Sequence, residues 1–227
     1  MDELFAKYAP AAFLRQVRVA ELIEGLDWAF DMDAGEMAFT DPDSDDGEPA
    51  MSSPCQVLGS ESEGSQTWLW GWANQASQIP DRLLRASRSV RDYGTENAVS
   101  ELTVPKLDLG RWDGHRLSLI AAGMLDAPGY YRGPYVGGAL FVLLEGALVP
   151  EPLPRSVATF ATGLPSFIAA FPDVDHRLAA TGLASALGLV TDQSNVVTGA
   201  DGSATLEFDA AGRFRTLRSK LRDRVVR

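Results

Sequence analysis

The sequence predicts an α+β fold: a curved antiparallel sheet of about five to seven strands with helices packed mainly on one face. Three observations predict it. Helical periodicity recurs at residues 2–25, 79–93 and 114–125. Four short stretches with strand character follow one another between residues 27 and 73, and strands adjacent in sequence favour antiparallel pairing. A nearly unbroken apolar run, GGALFVLLEG at 137–146, has the pattern of a central strand covered on both faces, a pattern it shares with a buried helix.

The first helix is read from Leu4, Phe5, Tyr8, Ala12, Val19, Leu22 and Ile23, which recur at three-to-four spacing. Pro10 is expected to kink or split it, and Gly25 to end it. In LDWAFDMDAGEMAFT, Trp28, Phe30 and Met32 alternate with other residues, and Met37 and Phe39 do so again after Asp33-Ala34-Gly35, which predicts a β-hairpin. Residues 40–54 are a loop by composition. Its acidic run from Asp41 to Glu48 fails as a helix-loop-helix calcium site, which requires glycine sixth and glutamate twelfth where this chain has Asp46 and Ser52.

Residues 55–58 and 66–73 are expected as the next two strands, joined by GSESEGS. A helix over 79–93 follows, with Pro80 at its start and Gly94 beyond its end; then comes the irregular segment LTVPKLDLGRW. Asp113 is placed to cap a helix over 114–125, whose Leu117, Ile120, Ala121 and Met124 form a stripe to bury. YYRGPY at 130–135 returns to strand character. After the proline-punctuated PEPLPRS, residues 156–190 are expected to be helical, broken near Pro165 and Pro172, with Asp173 capping the last helix. SATLEFDAAGRFRTL closes the chain as a second hairpin that echoes the first, and shared hairpin chemistry accounts for the echo.

With 227 residues, 45% of them hydrophobic and 22% charged, the chain can bury a substantial core. The expected organisation is an α+β core over 1–150 that includes the N-terminal helix. Residues 151–227 add a helical extension, the C-terminal hairpin and a basic tail, packed on the same core. The opening MDELFAKYAP lacks the basic and apolar pattern of a secretory signal, no apolar run approaches a membrane span, and the one cysteine, Cys55, excludes an intrachain disulfide. A cytoplasmic protein with no membrane partner is the expectation.

The net charge of −11 is unevenly distributed. Residues 1–63 carry fifteen carboxylates against Lys7, Arg15 and Arg18, whereas residues 213–227 carry seven basic side chains and only Asp223. An acidic protein repels nucleic-acid phosphates and favours basic partners, so a basic protein partner or self-association is expected, a small-molecule ligand is compatible, and nucleic-acid binding is disfavoured. The basic end reads as a solvated face.

TWLWGWAN at 67–74 places Trp68, Trp70 and Trp72 at alternate positions, which in a strand puts all three on one face. Together with the DWAFDMDAGEMAFT hairpin, the VRDYG helix end, ELTVP and YYRGPYVGGALFVLL, this segment resembles an uncharacterised bacterial family, domain of unknown function 6882, over about residues 26–144. The resemblance implies an α+β fold and brings no catalytic residue with it.

The residues show no phosphate loop, dinucleotide fingerprint or nucleophile elbow. Cys55 reads as a small buried hydrophobe in preference to a nucleophile served by His115 or His176, and two histidines far apart with no Cys or His cluster predict no metal site. No cofactor is expected. The tryptophan row reads as the wall of a helix-covered core, since three exposed indoles would form a large apolar patch. A binding site, if present, is expected at the end of that row, drawn from Trp72, Asn74, Tyr93, Tyr131, Arg132 and Tyr135. Two functions remain open: a non-enzymatic binding or interaction module with an acidic surface, and a small-molecule enzyme or ligand-binding protein with a cleft bordered by the tryptophan strand.

Overall fold

The computed structural model describes residues 1–45, 47–146 and 152–222. The chain divides into two compact units, Met1 with Arg15–Glu151 and Asp2–Leu14 with Pro152–Arg227. Helix α1, Asp2–Leu22, therefore contributes its residues through Leu14 to the second unit and the rest to the first. Pro10 lies inside α1 without dividing it. The missing N–H costs one helical bond, but Phe5, Ala6, Ala9 and Ala12 of the same helix are buried, and burial outweighs local propensity.

In the first unit, β1 (Asp27–Asp31) and β2 (Glu36–Thr40) form the predicted hairpin. Its register pairs Trp28 with Phe39 and Phe30 with Met37, so the alternating apolar residues share one face. Asp31 Oδ1 accepts from the backbone N–H groups of Asp33 and Ala34 at 2.8 Å each, which shapes the turn. Gly35 closes it at φ +75°, and a Cβ there would also strike Leu83.

β3 runs from Met51 to Ser62, so the segment expected as loop to residue 54 is already strand at its end. β3 is shared. Its first residues pair with β2, its last with β4 (Thr67–Trp70), and most of its length with β7 (Gly138–Leu144), which also pairs β6 (Gly129–Tyr135). β5 (Lys106–Asp108), within the segment expected to be irregular, pairs β4. All seven strands are antiparallel to their neighbours.

Cys55 donates its N–H to Gly35 O, whereas Pro54 O accepts from Glu145 N just beyond β7. β2 and β7 thus lie on opposite edges of β3. Because β4 also lies opposite β7, β2 and β4 occupy the same edge at different heights, and the sheet forks between them.

Three helices cover one face, while Val19 of α1 joins the core on the other. α2 (Arg85–Glu96), the short α3 (Ser100–Thr103) and α4 (Gly114–Met124) accompany this sheet, with a 3-10 turn at Asp81–Leu83 ahead of α2. Asp113 caps α4 as predicted, accepting from Arg116 N at 2.8 Å. Phe141 of β7 lies on this helix-covered face beside Trp68, Tyr130 and His115. The opposite face curls over a second core made of Met37, Phe39, Val57, Val142 and Leu144, onto which Trp28, Phe30 and Tyr131 pack. There the two ends of the sheet meet: Tyr131 of β6 is 5.0 Å from Phe39 of β2 and 5.8 Å from Trp28 of β1, centroid to centroid.

In the second unit, α5 (Val157–Ala170) and α6 (His176–Ala186) accompany a four-stranded antiparallel sheet ordered β11-β10-β9-β8. Its strands are β8 (Val190–Thr191), β9 (Val196–Gly199), β10 (Gly202–Phe208) and β11 (Phe214–Leu221), and the predicted closing hairpin is its β10–β11 pair. Two expectations are corrected here. Pro165 does not break α5, whose buried Phe160, Leu164 and Phe167 hold it in an aromatic cluster with Phe5, Phe13 and Phe171. Asp175, not Asp173, caps α6, its side chain accepting from Leu178 N. The residues beyond 222, including the end of the basic tail, and Asp46 of the acidic loop lie outside the described residues.

Candidate functional site

A cleft of about 430 Å³ opens on the face of the first sheet away from α2, α3 and α4, at the fork of β3. β1 supplies Trp28 and Phe30, with Met32 just beyond the strand; β3 supplies Val57, Gly59 and Ser60; β6 and β7 supply Tyr135 and Leu140; and the segment following β4 supplies Gly71, Asn74, Ser77 and Ile79. Alternation accounts for the β1 and β6 members, and an irregularity of β3 between Val57 and Gly59 shifts its register against β7 there. Ser60 pairs with Leu140 across the sheet, and Tyr131, Gly133 and Tyr135 share one face of β6 because successive strand side chains point to opposite sides.

Gly133 lets the cleft's aromatic wall stand where it does. A Cβ at this position would lie within 3.2 Å of three ring atoms of Trp28, so only glycine allows the indole to lie against β6. Asn74 follows the 3-10 turn Gly71–Ala73, and its side-chain oxygen accepts from Ser77 N at 3.2 Å, which leaves its amide nitrogen as a donor at the cleft. Its remaining polar groups are the hydroxyls of Ser60, Ser77 and Tyr135 and the glycine backbone. Among the described residues no carboxylate, imidazole, amine or guanidinium lines the cleft.

The residues expected to form a site lie partly at the cleft and partly away from it. Asn74 and Tyr135 line the cleft, and Tyr131 stands behind its wall against Trp28. Arg132 points to the helix-covered face, where its Nε lies 3.9 Å from Glu61 Oε2. Glu61 Oε1 in turn accepts from the N–H of Gly114 at 2.7 Å, tying β3 to the start of α4. Tyr93 lies in α2, and its carbonyl accepts from Asn97. Trp72 leaves the row altogether, because β4 ends at Trp70 and the chain turns into a 3-10 helix; the guanidinium carbon of Arg91 sits 5.4 Å from its ring.

Trp68 and Trp70 are completely buried on the helix-covered face, edge to face at 5.3 Å, and Trp70 Nε1 donates to Glu101 O at 3.0 Å. The tryptophan at the cleft is Trp28. The hairpin alternation that placed Trp28, Phe30 and Met32 on one face was the available signal for this wall, and it read equally well as core.

The reactive candidates are committed elsewhere. Cys55 has no exposure, and burial, with Glu145 and Glu36 nearby, pushes its thiol up to about 12. His115 Nδ1 is 2.8 Å from the hydroxyl of Tyr130, whose own ionisation is pushed upward by burial and by Asp113 and Glu61. His176 Nδ1 accepts from Phe214 N at 2.8 Å, and its Nε2 faces Pro172 O at 3.3 Å, so that ring joins α6 to β11. Among the described residues no three His, Cys, Asp or Glu side chains stand together as metal ligands, and no helix is long and apolar enough to cross a membrane.

No curated protein and no solved structure matches the chain. A family model does match, over residues 2–147, which takes in the N-terminal helix as well as the segment from the first hairpin to the apolar strand. The chain therefore belongs to the family of unknown function DUF6882.

Proposed function

We propose that the protein is a non-enzymatic binding module whose recognition site is the cleft at the fork of the first sheet. The observation that carries this reading is the cleft's chemistry. A concave, mostly apolar pocket with a few convergent polar groups is the usual form of a ligand site, and 430 Å³ falls within the size range of such sites. Its hydroxyl, amide and backbone groups orient a ligand by hydrogen bonding. None of the lining side chains is a carboxylate, imidazole or amine, so the lining is suited to holding a molecule and poorly suited to general acid–base work. The net charge of −11 gives the module an acidic exterior that favours basic partners over nucleic acid.

A neutral solvatochromic dye such as Nile red tests the reading. The native protein binds it with a blue-shifted emission, and Ser77→Trp, which fills the mouth from an exposed turn position, abolishes that binding while leaving the unfolding transition in place. Molecules extracted from the native protein are recovered with unchanged mass. Dye binding unaffected by Ser77→Trp, or recovery of a chemically altered ligand, overturns the reading.

A further inference from the structure

We infer that the occupant of the cleft is an uncharged, flat small molecule of about one to three rings, stacked against Trp28, with one hydrogen-bonding group turned toward Asn74 and Ser77. This rests on the reading of the cleft as a binding site and narrows it to a ligand class. Four observations carry it.

First, the lining holds no formal charge although the chain carries −11. An anion held in the cleft contacts no cationic side chain of its lining and opposes the field of the whole protein. A cation is drawn by that field but loses its hydration in an apolar lining that offers no carboxylate. A neutral molecule avoids both costs.

Second, the wall is aromatic and anchored. Trp28 is held from behind by Tyr131 and by close approach to Gly133, so its ring is positioned before any ligand arrives and loses little freedom on stacking. Third, the polar side chains are few: beside the isolated hydroxyls of Ser60 and Tyr135, Asn74 and Ser77 form a pair in the segment after β4, where, with the Asn74 oxygen occupied by Ser77 N, the amide nitrogen is left to donate and the Ser77 hydroxyl can donate or accept. One polar substituent satisfies that arrangement, whereas a polyhydroxylated molecule would bury hydroxyls against Phe30, Val57 and Leu140.

Fourth, the geometry of the fork disfavours an extended peptide. β2 pairing ends at Pro54, with Cys55 N bonded to Gly35 O, and β4 pairing begins at Gly59, so only residues 56–58 of that edge lack a strand partner. That is roughly 10 Å of strand, too short for a peptide to add as a strand. Gly71 also closes over it, since a Cβ there would lie 3.0 Å from Val57 O. The cavity stands at the small end of the range for ligand pockets, which sets the limit of a few rings.

The test is a titration of the full chain at neutral pH, followed by heteronuclear NMR shifts, with four probes. These are 2-naphthol, 2-naphthoate, 2-naphthylmethylammonium and an uncharged hexapeptide bearing phenylalanine. The expected result is that 2-naphthol perturbs Trp28, Leu140 and Asn74, binds at least about tenfold more tightly than either charged analogue or the peptide, and fails to bind the Ser77→Trp variant. Trp28→Phe retains the preference with weakened affinity, and Trp28→Leu loses it; Ser77→Trp, at an exposed turn, keeps the test informative if Trp28→Leu fails to fold.

Equal or tighter binding of a charged analogue, or of the peptide, in the same cleft overturns the ligand class while the binding-module reading stands. Failure of every probe to perturb the cleft of the wild-type chain overturns both.

Discussion

Trp68 and Trp70 offer a controlled comparison, because both are completely buried and they touch each other, yet only one has a partner for its indole N–H. Trp70 Nε1 donates to Glu101 O, whereas Trp68 Nε1 is buried with no hydrogen-bond partner among the described residues. Replacing either by phenylalanine removes roughly 40 Å³, worth about 1 kcal/mol at ~24 cal/mol per Å³ of residual cavity. Trp70→Phe also strands a partly buried carbonyl acceptor at a cost of about 1–2 kcal/mol, while Trp68→Phe removes an unsatisfied donor and regains about 1 kcal/mol. The expected destabilisation is then about 2–3 kcal/mol for Trp70→Phe and about 0–1 kcal/mol for Trp68→Phe. Urea unfolding followed by tryptophan fluorescence measures the difference cleanly, since all five tryptophans (28, 68, 70, 72 and 112) belong to the first unit. A gap of ~2 kcal/mol is about 1 M in midpoint for ordinary m-values. Equal midpoints, or a lower one for Trp68→Phe, would refute the assignment of the two N–H groups.

Further outcomes follow from particular contacts. Asp113→Ala removes the acceptor for Arg116 N and Asp175→Ala that for Leu178 N, so each is expected to cost about 1 kcal/mol, read as a lowered unfolding midpoint. In the native protein at pH 8 the Cys55 thiol is expected to resist a disulfide reagent and to react only as the chain unfolds, because a thiol pushed up to about 12 and fully buried presents almost no thiolate. The same shift has a stability consequence of definite sign. The fold favours the protonated thiol, so this contribution is complete below the ordinary value near 9 and is lost as pH rises from there toward about 12, which an alkaline unfolding series of wild type against Cys55→Ala would show.

The elements most legible in the sequence were those in which one period dominates. The first hairpin was readable because Trp28, Phe30, Met37 and Phe39 alternate around a turn that Asp31 and Gly35 close, and α4 because Asp113 precedes an apolar stripe. The echo between the two hairpins has a physical basis: Asp209 Oδ1 accepts from Ala211 and Arg213 N–H as Asp31 does from its own turn, and Gly212 takes φ +78° as Gly35 takes +75°. The glycine follows its aspartate by three residues in one turn and four in the other, so the likeness is one of turn chemistry.

The tryptophan row misled at its end because alternation holds only while the chain stays extended. Nothing in TWLWGWAN marks the change from strand to 3-10 turn except Gly71, and glycine also occurs within strands. The cleft itself was hidden for a different reason. It exists because one strand serves two partners on one edge, a long-range relation between residues 51–54, 59–62 and 138–144 that no local period encodes. The breaks expected at two prolines do not occur. Pro10 and Pro165 stay inside α1 and α5 because the aromatic and alanine surfaces those helices bury outweigh a lost hydrogen bond.

The neutral lining of the cleft also predicts how binding responds to salt, and that response separates the pocket's chemistry from the chain's overall charge. A net charge of −11 surrounds the site with a potential that acts on any charged ligand before it reaches the lining. Raising the ionic strength from about 0.01 M to about 1 M shortens the Debye length from ~30 Å to ~3 Å, which removes that long-range contribution. Affinity for 2-naphthol is expected to change by less than about twofold over this range, because neither the ligand nor the side chains it contacts carry charge. The cationic analogue should weaken and the anionic one strengthen, each toward the limit set by desolvation in an apolar site. A strong salt dependence for the neutral probe would mean that a charged group reaches the ligand, and the nearest place to look is the turn beyond β1, where Arg82 donates to the carbonyls of Met32 and Asp33 at the mouth of the cleft.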